Sequence, residues 1–308
     1  MPTETLDPPL SKRLPRPRLR AHRTAYLLML ASSATFASMG ACTHALNGRC
    51  DWRVTAIARG AIAFALTAWL ARAGGVRTPF WRPRTLWMRS IVGSFSLILS
   101  FYALSSLHVS TAYTLFNTFP LWVTLLAWPV LGERPTVGVA LALLSGVPGV
   151  WLIENPQDGF RLASAAALAA SVCTAVVMLG LHRLRDLHSL AIVVHFSGVA
   201  TVFAVGYLLC SVAAGHPLAA VAWADPVTLA LLAGVGVCAT LGQIAMTRAF
   251  SLGPPQRLAV VGLSQVVFAL GYDLGLWGHR FGLAQVAGTL LVMAPVGWLV
   301  GRKSPAAH

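Results

Sequence analysis

The chain has 308 residues, 56% of them apolar and only 10% Asp, Glu, Lys or Arg, where a soluble domain carries roughly a quarter charged residues. That composition excludes an ordinary water-exposed surface. The 23 Lys and Arg against 9 Asp and Glu give a formal net charge of +14, which in a soluble chain would point to nucleic acid; the positions of the charges exclude that partner.

Seven runs contain no Asp, Glu, Lys or Arg: 24–48, 90–132, 135–153, 162–182, 187–224, 226–247 and 281–301. Each reaches the ~18 residues that mark a membrane-spanning helix. The run 90–132 is long enough for two spans, with the polar cluster Ser105-Ser106-Leu107-His108-Val109-Ser110 as the turn between them. Two further apolar stretches each hold one charge, Arg59 in 54–71 and Asp273 in 258–277. The sequence therefore predicts an all-α integral membrane protein of ten transmembrane helices, at 24–46, 54–71, 87–105, 110–131, 136–153, 161–181, 189–212, 226–250, 257–277 and 281–300. No connection is long enough for a folded extramembrane domain.

Cytoplasmic loops retain Lys and Arg. With the N-terminus inside, 17 of the 23 basic residues fall on the cytoplasmic side, including Arg72, Arg77, Arg82, Arg84 and Arg89 in one loop. Arg49, Arg53, Arg161 and Arg280 fall outside, and Arg59 and Arg248 lie within spans. This predicts a multi-pass inner-membrane protein with both termini in the cytoplasm. Residues 1–23 read as a disordered basic tail and 301–308 as a short cytoplasmic one. The first apolar run is long enough to span and reads as a retained helix rather than a cleaved signal. Cys42, Cys50, Cys173, Cys210 and Cys238 form no Cys-x-x-Cys pair and read as packing residues. The histidines form no paired helical motif, and His195 reads as packed or hydrogen-bonded. No metal and no cofactor are expected.

The chain repeats itself. A shift of 146 places Ile98, Ala103, Ser105, Gly132 and Arg134 on Ile244, Ala249, Ser251, Gly278 and Arg280. In each half a helix ending in Tyr102-Ala103-Leu104 or Arg248-Ala249-Phe250 is followed by a turn, a helix ending Gly132-Glu133-Arg134 or Gly278-His279-Arg280, and a Gly-rich closing helix. Five helices per repeat is an odd number. The halves, 24–153 and 161–300, therefore enter the membrane from opposite sides as two inverted five-helix repeats, with a site expected at mid-membrane between them.

The fourth helix reads Ser110-Thr111-Ala112-Tyr113, then Phe119-Pro120-Leu121-Trp122 and Leu131-Gly132-Glu133-Arg134-Pro135, and the second half adds Gly242-Gln243 and Thr247-Arg248-Ala249-Phe250. In these motifs and the ten-helix pattern the chain resembles the EamA-type branch of the drug/metabolite transporter superfamily. The resemblance implies a central cavity lined mainly by the third, fourth, eighth and ninth helices with the first and sixth. It also implies alternating access, and export of small metabolites more often than uptake. Two positions depart from the pattern: Val266 and His279 stand where the second repeat would repeat the Pro and Glu of the first. The kink expected from Pro120 and a further break at Pro129 thus have no counterpart in the ninth helix, which has Gly271-x-x-x-Gly275 instead.

Read without the family, Ser110, Thr114, Asn117, Leu121 and Thr124 recur at helical spacing along the fourth span. Such a stripe either bonds a neighbouring helix or lines a cavity, with Tyr113 and Trp122 as stacking aromatics. Ser96 and Ser100 share a small-residue face with Gly93, which favours close helix packing, and Tyr102 stands at the outer end as a binding or interfacial residue. Asn117, Gln243 and Gln265 are the neutral groups suited to orient a ligand, with Tyr272 on the face of Gln265. Asp273 and Arg59 lie at similar depth near the outer face. They read as a gate ion pair, or Asp273 as a proton-titrating coupling group; an interfacial Asp reaching water is the plainer alternative. No catalytic constellation, nucleotide-binding loop or ring of like charges is present. The expected partners are a small-molecule metabolite, such as an amino acid or its derivative, membrane lipids, and a second copy through the Gly-rich fifth and tenth helices; a channel or a non-transport membrane protein is the alternative.

Overall fold

A computed structural model describes residues 16–79, 81, 83–131, 144–145, 148–149, 152, 162–181, 184, 187–219, 221–252, 258 and 261–301. Among the described residues all regular structure is helical: α1 (Arg16–Ala45), α2 (Trp52–Ala73), α3 (Arg84–Ser106), α4 (Val109–Phe116), α5 (Phe119–Leu131), α6 (Leu162–Leu181), α7 (Ser189–Ala213), α8 (Pro226–Leu252), α9 (Ser264–Trp277) and α10 (Leu283–Gly301). Among the described residues six apolar segments are long enough to cross a bilayer: Arg23–Ala45, Trp52–Ala73, Arg84–Ser106, Leu162–Gly180, Ser189–Ala213 and Pro226–Leu252. Large apolar side chains such as Trp69, Val202 and Leu209 face outward, as a multi-pass membrane protein requires. Most of the expected fifth span (136–153), and residues 1–15 of the tail, lie outside the described residues.

Helix α1 begins at Arg16, within the basic stretch expected to be a disordered tail. The fourth span is two helices, α4 and α5, separated at Asn117-Thr118. Pro120 explains the break: its ring would clash with the carbonyl four residues back, and it has no N–H to donate. Placed in the first turn of α5, the missing donor costs nothing. Helix α5 then runs through Pro129 to Leu131, so the second expected break does not occur. In the ninth span, residues 261–262 are helical, Leu263 is a turn, and α9 starts at Ser264 and runs unbroken past Gly271 and Gly275. In the second half the helix is interrupted at Leu263, 146 residues after Asn117, without a proline and with Leu263 itself in helical dihedrals.

Helix packing is matched between the halves. α1 packs on α8 as α3 packs on α6; α2 packs on α8 as α3 packs on α7; and α1 packs on α9 as α6 packs on α4 and α5. α2 and α7 pack on each other. Ser32 Oγ in α1 donates to the Gly242 carbonyl in α8 (2.9 Å), and Ser96 Oγ in α3 donates to the Ala170 carbonyl in α6 (3.0 Å). In the fifth span, a Cβ on Gly149 would come within 2.8 Å of Val292 Cγ2. At Gly149, one of the few described residues of that span, this chain's own α10 is the neighbour.

The connections sort onto two faces. On one, Asp51 caps α2 and is gripped by Arg53 (Nη2 to Oδ2 2.6 Å, Nε to Oδ1 3.0 Å) and by the Ala219 N–H (3.0 Å). Arg53 also donates to Ser211 Oγ, the His216 carbonyl and the Pro217 carbonyl, tying the α1–α2 turn to the α7–α8 connection. Burial pushes the Asp51 carboxyl up, but the hydrogen bonds from Arg53 and Ala219 outweigh it and hold it below the usual carboxylate value. Asp225, at the start of α8, is held low by the Thr228 hydroxyl, the Val227 N–H and Arg49. On the opposite face Leu86, Leu184 and Ile192 cluster at the ends of α3 and α7.

Candidate functional site

A cavity of about 220 Å³ lies at the centre of the bundle. Its walls come from α1, α3, α4, α5, α6, α8 and α9, with Arg59 of α2 and Phe196 of α7. This matches the helices the resemblance implied and adds the second and seventh. Five pairs of lining residues stand 146 positions apart: Ser32 and Met178, Leu97 and Gln243, Ser100 and Met246, Phe116 and Gly262, Phe119 and Gln265. The register found in the sequence is therefore the register in which the two halves face the cavity.

Of the residues singled out from sequence, Tyr113, Asn117, Gln243, Gln265 and Arg59 line this cavity together. The Tyr113 hydroxyl donates to the Phe36 carbonyl of α1. Its ring lies against Gly40, where a Cβ would meet the ring at 2.6 Å. Asn117 sits at the break between α4 and α5, its Nδ2 donating to the Tyr113 carbonyl at 2.8 Å. The break lies at the cavity, which Phe116, Asn117 and Phe119 line from its two sides.

Tyr102, Trp122, Tyr272 and Asp273 are elsewhere. Tyr102 stacks edge-on against Trp52 at the end of α3 (5.6 Å). Trp122 donates Nε1 to Thr118 Oγ1 at 3.2 Å, bracing the α4–α5 turn together with the Thr118 bond to Ser171 (2.9 Å). Tyr272 shares a hydrogen bond with Ser38 (2.6 Å) and joins α9 to α1. Asp273 is fully buried, and its two oxygens accept the N–H groups of Val109 (3.2 Å) and Ser110 (2.8 Å). The expected Arg59–Asp273 ion pair is not formed. Asp273 instead caps the N-terminus of α4 from another helix, where the helix dipole favours an anion and His108 supplies no side-chain cap.

Sequence reading counted Arg89 with the cytoplasmic loop although it opened the third span at 87; α3 begins at Arg84, and Arg89 is buried in the cavity wall. The signal was present: Arg89 lies four residues before Gly93 and so extends the Gly93, Ser96, Ser100 face by one turn. Phe196 was missed because one aromatic in an apolar helix carries no pattern. Gly93 makes room for it, since a Cβ there would meet the Phe196 ring at 2.8 Å. Next to it, His195 is buried and bonds Ser90 Oγ through Nδ1 at 2.8 Å, the hydrogen-bonded histidine expected.

Residues 23–154 match the EamA-like transporter family. Over 280 residues the chain is 27% identical to proteins named pseudopaline exporter CntI in two strains of Pseudomonas aeruginosa, UCBPP-PA14 and PAO1, covering 88% of this chain and 94% of each relative. A crystal structure that is 18% identical covers 91% of this chain and 95% of its own with a TM-score of 0.58, so the two share a fold.

Proposed function

We propose that this chain, an EamA-like transporter by its match over residues 23–154, is a secondary exporter of a small metabolite across the cytoplasmic membrane and that the central cavity is its substrate site. Two inverted five-helix repeats, 24–153 and 161–300, would carry the substrate by alternating access, exchanging which face the cavity opens to. One observation carries this reading: residues related by the repeat register of 146 line a single polar-apolar cavity from both halves. The matched packing of α1 on α8 and α3 on α6 supports it, as do the full-length relatives named as exporters. Asn117, Gln243 and Gln265, with the Tyr113 hydroxyl, orient the substrate, while the aromatic walls hold its apolar part. Asp273 acts as a positioning residue for α4, through which the coupling or gating expected of it would operate.

The test is a screen for lower accumulation or reduced toxicity of small metabolites in a strain overproducing the protein, with Asn117→Ala as control. A compound extruded by the wild type and retained in the control supports the cavity as the site. Efflux untouched by Asn117→Ala counts against the site, and an electrically measured, non-saturating flux would replace the carrier by a channel.

A further inference from the structure

The charge inside the bundle is unbalanced. Arg59 of α2 and Arg89 of α3 are 6% and 2% exposed, and both line the cavity. Arg59 Nη1, Arg89 Nε and Arg89 Nη1 are buried and make no hydrogen bond. The two guanidinium carbons lie 5.2 and 4.9 Å from the centre of the one Phe196 ring, which limits their separation to about 10 Å. A cation–π contact of this kind acts through the ring face and leaves the N–H donors free. The three carboxylates among the described residues are engaged elsewhere: Asp51 by Arg53, Asp225 by Arg49, and Asp273 by the start of α4.

Arg53 shows what a structural arginine looks like in this protein. It is 7% exposed, as buried as Arg59, yet it donates to the Asp51 carboxylate, a hydroxyl and two carbonyls. Removing a guanidinium from water without such partners is strongly unfavourable, and a cavity that keeps two of them is built to receive compensation from outside the chain. We infer that Arg59 and Arg89, set against Phe196, form a seat for the carboxylate of the exported compound. The planar fork of arginine matches a carboxylate with two N–H donors, and two such forks accommodate a dicarboxylate. None of the described lining residues is acidic, so no carboxylate among them balances the two arginines or pairs with an ammonium group. The inference rests on the cavity being the substrate site, and it narrows the substrate from a small metabolite, such as an amino acid or its derivative, to a small organic anion. The amides of Asn117, Gln243 and Gln265 are left to bind its neutral polar part.

The seat is tested on the purified full-length protein in detergent by its melting temperature against millimolar glutarate, N-acetylglutamate, glutaramide and inorganic phosphate. The carboxylates raise the wild-type melting temperature and the uncharged diamide does not. Arg59→Gln and Arg89→Gln each shift the carboxylate midpoint at least about 30-fold, while Arg59→Lys and Arg89→Lys, which keep the charge but lose the fork, retain part of the response. Without ligand the Gln variants melt no lower than wild type, because each loses an unpaired buried charge; a drop in both would assign the arginines to the fold and overturn the seat. Carboxylates without effect, glutaramide as effective as glutarate, or Gln variants with the wild-type midpoint would also overturn it, and a response to phosphate alone would replace the carboxylate by a phosphate. Efflux of a neutral or cationic compound that survives Arg59→Gln sinks the seat and leaves the exporter standing. A wild type that extrudes nothing sinks the exporter whatever the binding shows.

Discussion

Asp273→Asn separates a carboxylate that holds the fold from one that merely sits in it. The side chain is fully buried, and its two oxygens take the N–H groups of Val109 and Ser110 at 3.2 and 2.8 Å. Those groups belong to the first turn of an eight-residue helix, too short to be stable alone, whose own cap residue His108 makes no side-chain cap bond. Asparagine keeps the shape but offers one acceptor oxygen, and its NH₂ faces the other N–H. The loss is one hydrogen bond to an ionised acceptor plus the attraction of the helix terminus for an anion, together about 2–4 kcal/mol. For a chain of this size that corresponds to a fall in melting temperature on the order of 5–10 °C. Thermal unfolding of the detergent-purified variant, followed by size-exclusion chromatography, measures it. Because α4 carries Tyr113 and leads into Asn117, efflux should fall as well. A melting temperature within about 1 °C of wild type would refute the cap; a normal melt with an altered pH profile of efflux would restore Asp273 as a titrating group.

Asp51 is held below its ordinary value of 3.8, so the stability it contributes is fully present above that pH and is lost as pH falls through the lowered value; Asp51→Asn should reduce the melting temperature at neutral pH and flatten its decline below about pH 4. Gly93→Ala puts a methyl 2.8 Å from the Phe196 ring and should cost about 1–3 kcal/mol by thermal melt, while weakening efflux more than the melt alone explains because that ring carries both arginines. In a cysteine-free background, Ala222→Cys should react with a membrane-impermeant maleimide in whole cells and His188→Cys only after permeabilisation; the reverse pattern would invert the N-in orientation.

The helices were readable because their apolar lengths are dictated by the bilayer, and the helical spans among the described residues mostly fall within a few residues of the ranges the sequence predicts. Errors fell where a charge was used as a boundary. Arg89 was counted with the cytoplasmic loop, although the predicted third span already opened at 87, because loops normally hold arginines; the helix starts at Arg84 and carries Arg89 inwards. Pairing by depth failed in the same way: Arg59 and Asp273 sit at comparable heights, but Asp273 is engaged by backbone donors that sequence does not display. The amides were found because Asn and Gln in an apolar helix demand partners. The aromatics Tyr102, Trp122 and Tyr272 were over-read, since a ring with one polar atom can satisfy it locally, as Trp122 does on Thr118 and Tyr272 on Ser38.

The repeat register explains why the cavity can be matched in form and unequal in chemistry. Both halves break at the same place, Asn117 in one and Leu263 in the other, although only the first has a proline to force it. The residues flanking each break line the cavity: Phe116 and Phe119 on one side, Gly262 and Gln265 on the other. Equivalent backbone positions therefore present a wall of rings from the first half and a small residue with an amide from the second. Arg59 and Arg89 add both of their charges to the first-half wall, while Phe196, from the second half, supplies the ring between them. A two-fold-symmetric lining would bind an elongated molecule equally well in either direction. If the cavity is the substrate site proposed above, a lining of this kind would distinguish the ends of its ligand and hold a compound with an anionic head and a neutral polar tail in one orientation, head towards the arginines and tail towards Gln243 and Gln265.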